Sequence, residues 1–85
     1  MTAEVVMYTK KWCPYCIRAR LLFKNKGVDY KEISVSWSKA LWNEMVEKSG
    51  GNTVPQIFIN EESLGGYDDV AALDLKGELD QKLGI

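Results

Sequence analysis

Lys10-Lys11-Trp12-Cys13-Pro14-Tyr15-Cys16 holds both cysteines of this 85-residue chain, three positions apart, and its flanks decide how it is read. Upstream, Val5-Val6-Met7-Tyr8 is short, apolar and β-prone, so a strand is expected from about Glu4 to Thr9. Downstream, Ile17 to Lys26 contains no glycine or proline and favours helix. Pro14, with a preset φ and no amide hydrogen, suits the first turn of that helix. Cys13 then stands at the N-cap, where unpaired backbone N–H groups and the positive end of the dipole favour a thiolate. Cys16 follows one turn inside. An ordinary cysteine, with a pKa of ~8.5, is only about 3% thiolate at neutral pH, and the thiolate is the attacking species. Each tenfold gain in the anion takes ~1.4 kcal/mol. The helix terminus, Lys10 and Lys11 are the expected sources, because the chain has no histidine to serve as a general base.

Length sets one domain, residues 1–85, above the size at which staples become obligatory. A hydrophobic content of 46% with 27% charge describes a globular chain and argues against disorder. The net charge of −1 names no partner, but its distribution is uneven. Residues 1–31 sum to +5 and residues 32–85 to −6, so the cysteines lie in a basic half that suits anionic ligands. No signal peptide, transit sequence or membrane-length apolar run is read, and Met1-Thr2-Ala3-Glu4 leads straight into the first strand. A cytoplasmic protein acting without nucleic acid or membrane is expected. In that setting a C-x-x-C pair reads as a redox motif. Its loop is too short to tie distant parts of a fold together.

The first helix carries Cys16, Ala19 and Phe23 on one apolar stripe and Ile17 and Leu21 on another, which suggests burial on more than one side, and Gly27 ends it. Asp29 to Val35 reads as a second strand, parallel to the first through a right-handed crossover. Ser36 or Ser38 caps a second helix, with Trp37, Leu41 and Met45 on its inner face and Glu44, Glu47 and Lys48 outward, closed by Ser49-Gly50-Gly51. Ile57 to Ile59 is a buried strand entered through Pro55. Asn60 to Ser63 turns back into Ser63-Leu64-Gly65 as a hairpin. A last helix follows with Asp68 as N-cap and Val70 and Leu73 inward. It breaks at Lys76-Gly77 and ends in a short segment from Glu78 to Leu83. The order is βαβαββα, an α/β sandwich on a four-stranded mixed sheet flanked by helices.

Cys13-Pro14-Tyr15-Cys16, Thr53-Val54-Pro55 and Gly65-Gly66-Tyr67-Asp68-Asp69, in this order on these elements, resemble the dithiol glutaredoxins of the short bacterial type, over residues 4 to 83. The resemblance implies a thioredoxin-like fold and a glutathione-dependent thiol–disulfide oxidoreductase. Cys13 would be the nucleophile and Cys16 the resolving thiol, acting on disulfides of proteins and on protein–glutathione mixed disulfides. Glutathione is the implied co-substrate, with no tightly bound cofactor, no metal and a monomeric protein. The implied cradle is Lys10, Tyr15, Thr53, Val54, Pro55, Gly66, Tyr67 and Asp68. Pro55 would be cis, so that the Val54 backbone pairs with the extended tripeptide. Lys10 would meet the glycine carboxylate, with Lys39 a weaker second. The amides of Gly66, Tyr67 and Asp68 would take the γ-glutamyl carboxylate, and the Asp68 carboxylate its ammonium. Tyr15 would wall the groove. Many short bacterial relatives have cysteine where Tyr67 stands, so Tyr67 keeps the backbone role and adds bulk.

The duller reading leaves Lys10 a solvated lysine, Asp69 a helix-terminal charge and Trp37 and Trp42 core or helix surface, while Trp12, beside Cys13, either docks protein partners or only packs. Three functional rivals stand beside the main reading. An iron–sulfur cluster carrier would dimerise through Cys13 and glutathione, but Pro14 and Cys16 suit redox exchange better. A zinc module lacks ligands, with two thiols and no histidine. A redoxin served by a flavoprotein reductase would not need the cradle from Lys10 to Asp68.

Overall fold

The strand ahead of the cysteines lies inside the sheet. In the computed structural model, which describes residues 3–85, β1 (Val5–Thr9) pairs in parallel with β2 (Lys31–Ser34) and antiparallel with β3 (Gln56–Ile59). β4 (Glu62–Gly65) closes the far side of β3, so the order is β2-β1-β3-β4, the mixed sheet expected from the sequence. Met1 and Thr2, placed by the sequence ahead of the first strand, lie outside the described residues. Among the described residues, α1 (Pro14–Asn25) and α2 (Lys39–Ser49) connect strands, and α3 (Tyr67–Leu75) and α4 (Glu78–Leu83) follow β4.

The continuous apolar runs of β1 and β3 arise because both faces of the central strands are covered. Successive side chains alternate faces. Val5, Met7, Ile57 and Ile59 join Ala19, Phe23, Val70, Leu79 and Leu83 in a core under α1, α3 and α4. Tyr8 and Phe58 project the other way and meet Val35 and Met45 beneath α2, their rings edge to face at 5.7 Å. Burying each large apolar side chain contributes roughly 1.5–3 kcal/mol. Lys26, just past α1, binds Asp74 and Asp80 at 2.7 Å each, clamping α1 to the C-terminal helices.

Four local expectations are corrected. Only the Cys16–Ala19–Phe23 stripe of α1 is buried, while Ile17 and Leu21 are half-exposed, because nothing packs on that flank. Trp37 precedes α2 instead of lying on its inner face and is 92% exposed, and Ser38 supplies the cap by accepting from Leu41 N–H at 3.1 Å. Glu44 does not point away: its carboxylate accepts the Tyr8 hydroxyl at 2.8 Å. The hairpin turn is two residues long, Asn60 and Glu61, both at positive φ, as the twist of a tight hairpin requires.

Candidate active site

Cys13 is the N-cap of α1, in extended backbone conformation, and Pro14 opens the helix. Its sulfur accepts the Cys16 amide at 3.3 Å, the bond a capping side chain makes with an otherwise unpaired helix N–H. As a thiol, Cys13 donates to the Val54 carbonyl at 3.7 Å. Cys16 is fully buried beneath it. Burial first, then its hydrogen bond with Cys13, push the Cys16 thiol up to about 12, against smaller opposing contributions from the Lys10 backbone and Arg20. Cys16 is therefore protonated at neutral pH.

Behind the pair, Arg20 of α1 binds Glu32 of β2 at 2.6 Å, and Glu32 also accepts Thr9 Oγ1 at 2.6 Å. Arg20 above all holds the Glu32 carboxyl below its usual range, despite opposing desolvation. This network fixes the helix against the end of the β1–β2 pair.

The second motif enters from the loop before β3. The Val54–Pro55 bond is cis, as the resemblance implied. Gln56, buried at the head of β3, donates through Nε2 to the Thr53 carbonyl at 2.9 Å and reaches Thr53 Oγ1 at 3.3 Å. Gln56 thus braces Thr53, and sequence reasoning passed over it. The available signal was a polar residue opening an otherwise apolar buried strand, since a buried amide needs partners.

The third motif closes the other side. Gly66 comes so near the Pro55 carbonyl that an added Cβ would lie 3.4 Å from it. Gly65 has φ +95 and faces the Asp69 carboxylate, so a side chain there would be strained in the backbone and would push that carboxylate aside. The expected cap is corrected here. Gly66, not Asp68, is the N-cap of α3, and Asp69 reaches back to accept the Gly66 amide at 3.0 Å. Asp68 stands in the first turn, exposed. Tyr67 is half-buried and packs against the core under α3, so its ring leans on the fold.

Cys13, Cys16, Val54, Pro55 and Gly66 thus meet within contact distance, while Lys10, Tyr15 and Asp68 stand exposed around them. Lys10 is not simply solvated: its ammonium lies 4.6 Å from the centre of the Trp42 ring. That cation–π contact was missed, because the two residues come from different elements. Lys11 lies 5.5 Å over Trp12, so both ammoniums rest on indoles. Tyr15 is stacked by Arg18 at 5.3 Å. Among the described residues no cluster of three histidine, cysteine, aspartate or glutamate side chains is placed to hold a metal ion, and no helix is long and apolar enough to cross a membrane.

Comparison with known proteins extends this geometry. The glutaredoxin family model matches residues 5–64. The chain is 51% identical over 79 residues to a glutaredoxin of Pseudomonas aeruginosa, covering 93% of this chain and 94% of that one. It is 48% identical over 81 residues to glutaredoxin 3 of Escherichia coli K12, covering 95% and 98%. Among solved structures, a buckwheat glutaredoxin–glutathione complex superposes with a TM-score of 0.89 at 29% identity, covering 96% of this chain and 77% of that one.

Proposed function

The chain belongs to the glutaredoxin family of thiol–disulfide oxidoreductases, on a thioredoxin-like fold, and from that premise we propose how its residues divide the reaction. Cys13 is the nucleophile and Cys16 the resolving thiol. Toward a protein–glutathione mixed disulfide, the Cys13 thiolate attacks the glutathione sulfur. The bond to the protein sulfur breaks, and that sulfur leaves as a thiolate that takes up a proton. A second glutathione thiolate then attacks the glutathione sulfur held on Cys13, releasing glutathione disulfide and restoring the Cys13 thiolate. Toward a protein disulfide, the Cys13 thiolate attacks one protein sulfur, the disulfide bond breaks, and the other sulfur leaves as a thiolate that takes up a proton. Cys16 gives up its proton and attacks Cys13, which expels the second protein thiol. Two glutathiones reduce the Cys13–Cys16 bond in turn.

The observation that carries this reading is the position of Cys13: an N-cap sulfur with an amide aimed at it, 3.7 Å from the carbonyl of Val54 beside the cis bond. A glutathione sulfur brought to Cys13 lies along the Val54 backbone, which offers strand-like pairing to the tripeptide. The neighbour in complex with glutathione supports this placement for the present chain. Thr53, steadied by Gln56, and Pro55 complete that wall. The first-turn amides of α3, at Gly66, Tyr67 and Asp68, receive the γ-glutamyl carboxylate, with the Asp68 carboxylate free for its ammonium. Lys10, held over Trp42, meets the glycine carboxylate, and Tyr15 lines the rim.

The remaining assignments go with this reading: residues 1–85 as one domain, a cytoplasmic monomer with glutathione as co-substrate and no tightly held cofactor. The test is reduction of a glutathione–mercaptoethanol mixed disulfide, coupled to glutathione reductase and NADPH, by wild type, Cys13→Ser and Cys16→Ser. Activity in wild type and Cys16→Ser with none in Cys13→Ser is expected. An inert wild type that a thioredoxin-type reductase still reduces would refute glutathione dependence.

A further inference from the structure

Two indoles at the mouth of the site are left without a packing role. Trp12 is 86% exposed and Trp37 92%, although tryptophan is among the side chains most costly to leave in water. They come from different loops, yet those loops are tied together. The Lys11 amide donates to Ser36 Oγ at 2.9 Å, and the Val35 amide to the Thr9 carbonyl at 2.8 Å. Each tryptophan follows directly on a residue of the first of these bonds, and Trp12 itself precedes Cys13. Trp42 is a different case: it packs half-buried against the core, whereas Trp12, with Lys11 over its ring, keeps its ring exposed.

We propose that Trp12 and Trp37 form a docking surface for the substrate protein, taking a short extended segment that carries apolar and acidic residues around its reacting cysteine. The charge of this wall selects the acidic partner. Lys10, Lys11 and Lys39 are exposed here, and none is in an ion pair among the described residues. The nearby carboxylates are committed elsewhere, Glu32 to Arg20 and Thr9 and Glu44 to the Tyr8 hydroxyl. No acidic residue stands in the first turn of α2, directly after Trp37. Area selects a transient partner over a stable one. Two exposed indoles offer on the order of 300–500 Å², about half of the ~800 Å² that each partner contributes to a lasting protein interface. A flexible segment presenting one cysteine fits that size and leaves after exchange. The proposal rests on Cys13 as the reacting sulfur.

Two glutathionylated peptides of equal length test it, one with aspartate and leucine beside the cysteine, the other with lysine and serine. Wild type, Trp12→Ala, Trp37→Ala and the double variant are assayed on both peptides and on the glutathione–mercaptoethanol disulfide. The small disulfide is expected to be turned over by all four within about twofold, while kcat/KM for the acidic apolar peptide falls about tenfold in Trp37→Ala and further in the double variant. Wild type prefers that peptide, and added salt narrows the preference. Undiminished peptide turnover in Trp37→Ala, or no preference between peptides in wild type, would overturn the proposal. So would equal losses on peptide and small disulfide, which would move the indoles into the glutathione site or the fold. Peptide binding is also followed by tryptophan fluorescence. A wild type that binds the acidic peptide but turns over neither substrate would refute the assignment of Cys13 while supporting the docking surface. Anionic lipid vesicles that retain wild type and release the double variant, with no peptide selectivity, would assign the indoles to a membrane instead.

Discussion

Alkylation of the reduced protein by iodoacetamide at about pH 8 should separate its two cysteines in time. With Cys16 pushed up to about 12, chiefly by burial, only one Cys16 in ~10⁴ is ionised at that pH. An unperturbed thiol of pKa ~8.5 would be about one-quarter ionised. Ionisation alone therefore slows Cys16 on the order of 10³-fold, before any effect of its complete burial. Cys13, half-exposed at the helix cap, takes the label first. Trypsin releases the peptide Trp12–Arg18, and fragmentation of quenched samples in the mass spectrometer assigns each adduct to its sulfur. Labelling of Cys16 should rise about tenfold per pH unit, since its thiolate grows as pH approaches the raised pKa. It should stay slow in Cys13→Ser, because burial is the first cause of the shift and that variant removes only the contribution of Cys13. In denaturant both sites should react. Comparable labelling of both cysteines in the folded protein would refute the reasoning. The same protonation bears on turnover. With Cys13 already in a mixed disulfide, Cys16 must lose its proton from a buried position, so a second glutathione competes well for the Cys13 adduct.

Three further outcomes follow from particular contacts. Trp42→Leu should raise the KM for glutathione about 2–5-fold with kcat unchanged, because a cation–π contact of this kind is worth ~0.5–1 kcal/mol; an unaltered KM would detach Lys10 from the ligand. Gly65→Ala should cost about 1–3 kcal/mol in chemical denaturation, since alanine at φ +95 is strained and would displace Asp69 from the Gly66 amide, and it should weaken glutathione binding. Glu32, held low by Arg20, contributes stability that is present above its unfolded pKa of ~4.3 and is lost as pH falls through the lower folded value. With both partners partly exposed, Glu32→Gln should flatten that acid limb of the stability curve by no more than ~1 kcal/mol; an identical pH dependence would contradict the assignment.

The sequence by itself determined what depends on neighbours within a turn or two. Strand, cysteine turn and helix were legible in Val5 to Lys26 because β-prone residues, an N-cap thiol and a first-turn proline each act locally. Gly27, at φ +69, was legible for the same reason. The continuous apolar runs of β1 and β3, and the three motifs of the site, were legible as well. Tertiary structure decided what depends on residues distant in the chain. It set Lys10 over Trp42, brought Cys13 to Val54 across 41 positions, and turned Glu44 inward to Tyr8 across 36. It left Ile17, Leu21 and Trp37 in water, although periodicity marked them as apolar-face residues. The physical reason is the same in each case. Periodicity states which side chains can share a face, but only the packing of elements decides whether a partner covers that face. Gly66 rather than Asp68 caps α3 for the same reason: the helix begins where the chain passes Pro55, and the Asp69 carboxylate reaches back to the Gly66 amide there.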